Sequence, residues 1–418
     1  MITISHPSKI IKNANVNLPA SKSISNRLLV IHFLMNKSFK IENLSNCNDT
    51  ADLINALHQI ESKNNLENKV TVNVGEAGTS YRFLTALLAT LPGDYELRGS
   101  KKLMQRPMGE LILALKQLGA QISTTNNTGN GPLFIIGKTL QGGSIAIDAG
   151  TSSQFITALM LVAPYFKEGL TIELKGKVVS FTYIKMTVEL MRAFGAEVGF
   201  NDNVISISHQ PYHTSLETFT VEADWTAASY WYAFAAISKE CNIVLKGLNE
   251  QSLQGDGILA HLFNIYGIQS QFNTIGVTLS KLKGSGFIHI FDFVDNPDLV
   301  QTFAFLNAAL GLPLQVNNAS NIVHKETDRI SAIANEIKKI GGLLTVIEDD
   351  DFNIENNKPE LSEKAIFKTY QDHRMAMSAA ILAMIFSKVT IESEEVVSKS
   401  YPDFWEHLSQ AGFEISSI

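Results

Sequence analysis

The chain has 418 residues, 45% hydrophobic and 18% charged, with 34 Lys and Arg against 41 Asp and Glu and a formal net charge of −7. That is apolar material for more than one core, and the acidic balance gives no general attraction to nucleic acid or an anionic membrane. Its two cysteines, Cys47 and Cys241, form neither a CxxC pair nor a metal-ligand spacing, which argues against a disulfide scaffold and a zinc site.

The first predicted element is a strand in "MITISHPSKII". The stretch to Pro19 lacks an apolar core of signal-peptide length, and no run reaches eighteen uninterrupted apolar residues, so a cytoplasmic protein is expected. From "LPASKSISNR" (18–27) onward two kinds of helix alternate. One kind is apolar on nearly every face, the pattern of a helix buried all round: "NRLLVIHFLM" from 26, "YRFLTALLATL" from 81, "QFITALMLVAPY" from 154, "AASYWYAFAAI" from 227, "LVQTFAFLNAAL" from 299 and "MAMSAAILAMIF" from 375. The other kind is amphipathic: "DLINALHQIES" (52–62), "GELILALKQLGAQI" (109–122), "TVELMRAFGAEV" (187–198), "ILAHLFNIYGIQS" (258–270), "IANEIKKIGGLLTV" (333–346) and "FWEHLSQAGFEI" (404–415). Short β-branched segments such as "KVTVNV", "LTIEL" and "KVTIE" read as the strands between them.

All the amphipathic helices but the first end in glycine, at 119, 195, 267, 341 and 412, spaced 71 to 76 residues apart. A C-terminal glycine before a strand is a helix stop, so the chain is an internal repeat of six units. Six divides as three plus three, giving two similar α/β domains with buried helices inside and sheets outside. The change of domain falls near "EADWT" (222–226). If the leading strand completes the second domain, the domains are 18–224 and a discontinuous 1–17 plus 225–418, with a cleft between them for an active site.

The polar groups cluster at the N-terminal mouths of the buried helices: Lys22, Ser23 and Arg27; Gly78, Thr79 and Arg82; Ser152, Ser153 and Gln154; Asp224; Asp298; and Asp372, His373 and Arg374. Helix mouths carry free N–H groups and positive dipole ends, so cations added there make a pocket for multiply anionic small molecules. Ordinary capping by Ser, Thr and Asp is the alternative at each single position. In "NIVHKETDRISAI" (321–333), Lys325 and Arg329 are four apart and would share a helical face beside Glu326. A solvated, internally paired helix start is the alternative there. Arg106 and Lys399 precede two amphipathic helices. There is no GxxxxGK[ST] loop, no GxGxxG after a strand and no GxSxG elbow.

The segments "LPASKSISNR", "AGTSYRF", "QRPMGEL", "TSSQFITALMLVAP", "LQGD", "HKETDRI", "DHRMAMS" and "KSYPDFWEHL" together resemble the EPSP synthase (3-phosphoshikimate 1-carboxyvinyltransferase) family of enolpyruvyl transferases. The resemblance runs from about residue 18 to the C-terminus. It implies a two-domain inside-out α/β barrel, each domain three βαβαββ repeats with buried helices. It also implies transfer of the enolpyruvyl group of phosphoenolpyruvate to the 5-hydroxyl of shikimate 3-phosphate with release of phosphate, a step toward chorismate and the aromatic amino acids and the target of glyphosate. Residue by residue, it assigns shikimate 3-phosphate to Lys22, Ser23, Arg27, Ser152, Ser153, Gln154, Ser180, Tyr183, Asp298, Asn321 and Lys325. Phosphoenolpyruvate falls to Lys22, Gly78, Arg106, Gln154, Arg329, Arg374 and Lys399. Asp298 is the implied base, Glu326 the implied acid, and Lys22 the third catalytic residue. Neither a metal nor an organic cofactor is implied, and a monomer is expected.

Addition and elimination through a tetrahedral ketal-phosphate need an acid and a base on neighbouring atoms, with cations around phosphate and carboxylate. Arginine suits both anions through its bidentate fork. Closure driven by ligand is therefore expected, since the clustered cations repel one another until anions bind. Three positions depart from the family pattern: Ala20 stands for a glycine, Glu76 for an asparagine and Phe83 for a proline. Retained Gly78 leans toward ordinary glyphosate sensitivity. The sister family, which uses UDP-N-acetylglucosamine, typically has a cysteine in the loop that here reads "KKLMQRP" (101–107), where none occurs.

Overall fold

Glycine ends the amphipathic helices for a stereochemical reason. In the computed structural model, Gly119, Gly195, Gly267, Gly341 and Gly412 all lie at φ between +77° and +97°, the left-handed region that costs an L residue about 1–2 kcal/mol. After each, the chain turns into a strand: Gln121–Thr124, Val198–Asn201, Ile268–Phe272, Leu343–Glu348 and Glu414–Ser417. The structure describes residues 1–62, 69–125, 130–150, 152–282, 286–319, 322–323, 325–348, 351–356, 358–362 and 365–418.

Those five strands belong to five four-stranded sheets of one design. A parallel pair flanks a buried helix, and two antiparallel strands extend it. Thus Val70–Asn73 runs parallel to Gly93–Arg98 with the helix Gly78–Thr90 between them in sequence, and Leu133–Gly137 and Gln121–Thr124 follow antiparallel. Gly143–Asp148 with Leu170–Lys175, and Ile290–Asp292 with Leu314–Asn317, begin two more sheets in the same way. The sixth repeat is the exception. Among the described residues its sheet has only Lys40–Glu42 and Thr218–Thr220, and its amphipathic helix, Asn48–Glu61, is the one without a terminal glycine.

By its contacts the chain forms two compact units, Met1–Ala20 with Glu222–Ile418, and Ser21–Val221. In the first, the N-terminal segment supplies two strands. Ile2–Ser5 lies between Val389–Ile391 and Glu414–Ser417, and Ile11–Asn17 runs parallel to Cys241–Lys246.

The apolar helices are buried as their composition requires. Trp225–Ile237 is buried from Trp225 through Ala236, and Val300–Leu310 from Val300 through Ala309. Two hydroxyls meet between them: Ser229 Oγ lies 2.9 Å from Thr302 Oγ1 and donates to the Thr226 carbonyl at 2.7 Å. One expected helix is shorter than its pattern. "ILAHLFNIYG" (258–267) gives only a single α turn, Leu259–Leu262, preceded by the 3-10 turn Gly255–Ile258, and the chain reaches Gly267 through turns rather than helix. No helix among the described residues is long and apolar enough to cross a membrane.

The helix-stop glycines separate backbone strain from collision. A Cβ at Gly341 meets nothing within 4 Å, whereas at Gly195 it comes 2.5 Å from the His213 carbonyl oxygen. Gly341→Ala is expected to cost about 1–2 kcal/mol from the left-handed backbone alone, and Gly195→Ala distinctly more. Thermal unfolding of the two variants checks the order; equal losses would contradict it.

Candidate active site

In the Ser21–Val221 unit the helix mouths are joined by their own side chains. Arg27, on the helix Lys22–Leu34, donates from Nε to Thr187 Oγ1 at 2.8 Å and from Nη1 to the Ser23 carbonyl at 2.8 Å. Its Nη2 reaches Thr157 Oγ1 and the Tyr183 carbonyl, both at 3.3 Å. The same guanidinium lies 5.7 Å from the Phe83 ring centre and 5.9 Å from that of Tyr183. One residue thus ties together helices Lys22–Leu34, Gly78–Thr90, Ser153–Val162 and Phe181–Ala193. Arg27 is buried, and among the described residues its partners are neutral acceptors and aromatic faces. Burial pushes its pKa down to about 10, only slightly offset by Tyr183. A buried cation balanced by no carboxylate favours an anion beside it.

Lys22 at the same mouth pairs with Asp49 at 2.9 Å, and the Asp49 carbonyl accepts from Ser80 Oγ at 3.3 Å. Gln154 Nε2 donates to Thr79 Oγ1 at 3.3 Å, joining two further mouths. Gly78 begins its helix between two guanidiniums: a Cβ there would lie 2.7 Å from Arg106 Nη1 and 2.9 Å from Arg82 Nη1. Capping accounts for part of the pattern. Ser152 accepts from the Gln154 N–H and Asp224 from the Ala227 N–H, while Ser153 lies buried in the first turn after Ser152. Ser180 precedes its helix at φ +55°, a left-handed conformation unusual for serine, and is buried.

The other unit gathers carboxylates as well as cations. Arg329 is 1% exposed and holds three: Asp298 Oδ1 from Nη1 at 3.0 Å, Glu326 Oε2 from Nη2 at 3.1 Å and Asp372 Oδ2 from Nε at 2.8 Å. Arg374 Nη2 takes the second oxygen of Asp298 at 2.9 Å. Burial alone would lower the Arg329 pKa; Asp372, Glu326 and Asp298 outweigh it and raise it. Lys325 is held below its usual value, first by burial, with Arg329 and Arg374 adding to that while Asp298 and Glu326 oppose it. Arg374 is placed by Asp372, which caps the helix His373–Ala380 by accepting the Arg374 N–H at 2.8 Å. The turn into this mouth passes through two left-handed residues, Tyr370 and Gln371. Buried Glu336 holds it by accepting from the Tyr370 hydroxyl at 2.8 Å and the Lys368 N–H at 2.9 Å. Lys399 ends the 3-10 turn Glu394–Lys399, which packs against the same helix.

One expectation is corrected. Lys325 and Arg329 do not share a helical face, because the helix begins at Arg329. Asp328 caps it, accepting the Ser331 N–H at 3.2 Å and its hydroxyl at 2.5 Å, and leaves 325–327 as a bend. That bend lets Glu326 fold back onto Arg329. Asn321 lies outside the described residues. Two residues assigned no role from sequence belong to these clusters: Asp49, partner of Lys22, and Asp256, buried near Asp298 in the "LQGD" segment. Of the departures, Glu76 is exposed, Phe83 is buried under Arg27 in an unbroken helix, and Ala20 forms a bridge to Ala223. Among the described residues no group of three or more His, Cys, Asp and Glu is placed to hold a metal ion.

Three-sheet units wrapped on buried helices, with cations at the helix mouths, define the class of two-domain enolpyruvyl transferases. The family model described as EPSP synthase (3-phosphoshikimate 1-carboxyvinyltransferase) matches residues 7–408. A 3-phosphoshikimate 1-carboxyvinyltransferase of Bacteroides fragilis (strain YCH46) is 41% identical over 414 residues, covering 99% of this chain and 98% of the relative. One from Pseudoalteromonas translucida is 35% identical over 417 residues, covering 95% and 96%. A solved structure of EPSP synthase from Acinetobacter baumannii superposes over 100% of both chains with a TM-score of 0.76 at 21% identity, a likeness of fold. The chain belongs to the EPSP synthase family.

Arg329→Met would leave Asp298, Glu326 and Asp372 without the cation they share. A loss of about 3–5 kcal/mol is expected, as when one partner is removed from a buried ion pair. The loss should be larger at pH 8 than at pH 5, where proton uptake relieves the repulsion. Unfolding measured at both pH values checks this, and a loss independent of pH would contradict it.

Proposed function

We propose that the chain transfers the enolpyruvyl group of phosphoenolpyruvate to the 5-hydroxyl of shikimate 3-phosphate, with Asp298 taking the hydroxyl proton and Glu326 protonating the methylene carbon. The observation that carries this assignment is the shared guanidinium. Arg329 holds both carboxylates, at 3.0 and 3.1 Å, while their side chains keep 13% and 18% of their exposure. Acid and base are thereby fixed close together, as addition across a double bond requires.

Asp298, gripped by Arg329 and Arg374 through both oxygens, is oriented as the proton acceptor. Glu326 rests against a cation and takes up its proton as the negative charges of the substrates arrive, since like charge favours the neutral acid. Protonation of C3 makes C2 electrophilic, the hydroxyl adds, and a tetrahedral ketal-phosphate forms. A proton then leaves the new methyl group and phosphate departs. Lys22, Gly78, Arg106, Gln154, Arg329, Arg374 and Lys399 are the groups assigned to phosphoenolpyruvate; the cations among them stabilise charge on the leaving phosphate. Lys22, Ser23, Arg27, Ser152, Ser153, Gln154, Ser180, Tyr183, Asp298, Asn321 and Lys325 are assigned to shikimate 3-phosphate. The buried charge of Arg27, with no carboxylate partner among the described residues, supports its place on the anionic shikimate 3-phosphate.

Phosphate release with phosphoenolpyruvate and shikimate 3-phosphate, but not with UDP-N-acetylglucosamine, is the expected result. Asp298→Asn and Glu326→Gln should each lower kcat by about a hundredfold or more; near-normal turnover in either would remove that residue from its role. Gly78→Ala places a methyl against Arg106 and Arg82. It should raise KM for phosphoenolpyruvate about tenfold, while KM for shikimate 3-phosphate changes about twofold or less. Equal effects on both substrates would argue against assigning Gly78 to the enolpyruvyl donor.

A further inference from the structure

Behind Asp298 lies a second buried carboxylate to which the proposed chemistry gives no part. Asp256, in the 3-10 turn Gly255–Ile258, is 4% exposed. Its Oδ1 accepts from Asn296 Nδ2 at 2.9 Å and its Oδ2 from the Thr226 hydroxyl at 2.5 Å. Asn296 immediately precedes the turn Pro297–Leu299 that carries Asp298, and its carbonyl accepts the Leu299 N–H at 3.0 Å. Thr226 opens the buried helix Trp225–Ile237. One carboxylate therefore fastens the Asp298 turn to a buried helix.

The anchor alone does not require a charge. An asparagine at 256 could accept from Asn296 and donate to the Thr226 oxygen, whereas an ionised carboxylate under two neutral donors is costly to bury. Among the described residues no cation lies within ion-pair distance of Asp256. The charged groups that act on it are Asp298, from its turn, and Arg374, from the helix His373–Ala380. The helix Trp225–Ile237 faces it with the Thr226 hydroxyl, and Gly255, Gly257 and Ile258 of its own turn are uncharged. Burial pushes the Asp256 pKa up to about 6, with Asp298 adding to this and Thr226, Asn296 and Arg374 opposing it. Its ionised form sets a like charge near a carboxylate that two guanidiniums grip, Arg329 at 3.0 Å and Arg374 at 2.9 Å.

We propose that Asp256 is a positioning residue for the transfer: through Asn296 it fixes the turn that aims Asp298, and its negative charge keeps Asp298 basic between Arg329 and Arg374. This rests on Asp298 being the base, and the test separates the two claims. Asp256→Asn keeps the anchor and removes the charge. Loss of a like charge lets Asp298 release its proton more readily, so the acid limb of the kcat–pH profile should move to lower pH. Turnover at neutral pH should fall about tenfold, with both KM values within about twofold. Because the folded state raises the Asp256 pKa, its charge costs stability as pH rises from the ordinary carboxylate range through about 6. Tm of Asp256→Asn at pH 8 should therefore be unchanged or higher, the opposite of a merely structural defect.

Asn296→Ala loosens the turn but leaves the charge, so kcat should fall without a shift of the acid limb. Unaltered kcat in Asp256→Asn, or slower turnover with an unmoved limb, overturns the electrostatic claim. Unaltered kcat in Asn296→Ala overturns the positioning claim. Asp298→Asn is assayed alongside: survival of its activity removes the base assignment itself, while an inactive Asp298→Asn with a kinetically normal Asp256→Asn removes only the present inference.

Discussion

The side-chain cluster of the Glu222–Ile418 segment is organised by one buried guanidinium holding three carboxylates. Asp298 enters on the turn Pro297–Leu299, Glu326 on the bend before a helix, and Asp372 as the cap of another helix, and all three meet at Arg329. A single anion there could neutralise the charge; three also fix the relative positions of three chain segments. The five donors of the arginine fork lie in one plane, so each carboxylate has one place to be. A lysine would supply the charge without that order.

The repeat explains why such clusters arise at helix mouths. In each of the five complete repeats a buried helix lies in sequence between two parallel strands, so the buried helices of a unit enter it in the same sense. Their N-termini then collect at one end, where unpaired N–H groups and positive dipole ends add to the side-chain cations. Arg27 shows this, touching three helices besides its own. The strand–helix–strand connection that builds each sheet thus also sets where the helix mouths and their cations lie.

Much of this was legible in the sequence, for physical reasons. Helices apolar on every face can only be buried, and a left-handed residue can be read as glycine, so the alternation of helices and the five glycine stops stood out. Even the exception was marked, since Asn48–Glu61, without its glycine, belongs to the two-stranded sheet. Pairing was not legible. Lys22 and Asp49 are far apart in the chain, and residue types do not say which carboxylate meets which cation. The Lys325–Arg329 face failed because a cap decides where a helix begins: Asp328 bonds Ser331 in preference to extending the helix backward. Asp256 lay in a quoted motif, but its meaning depends on Asn296 and Thr226, forty and thirty residues away.

The two units solve the problem of buried charge in opposite ways, and the difference matches the division of labour assigned to them. Arg27 is satisfied by hydroxyls, carbonyls and ring faces, which orient it without cancelling its charge. Its field remains available to an incoming anion, which suits binding. Arg329 is cancelled by carboxylates in advance, so it adds little net attraction but holds two titratable groups at defined distances, which suits proton transfer. A buried cation without a carboxylate partner keeps its field for an incoming anion; one already paired with several carboxylates fixes their positions instead. The partners of Arg27 and Arg329, rather than their shared identity, therefore set what each contributes.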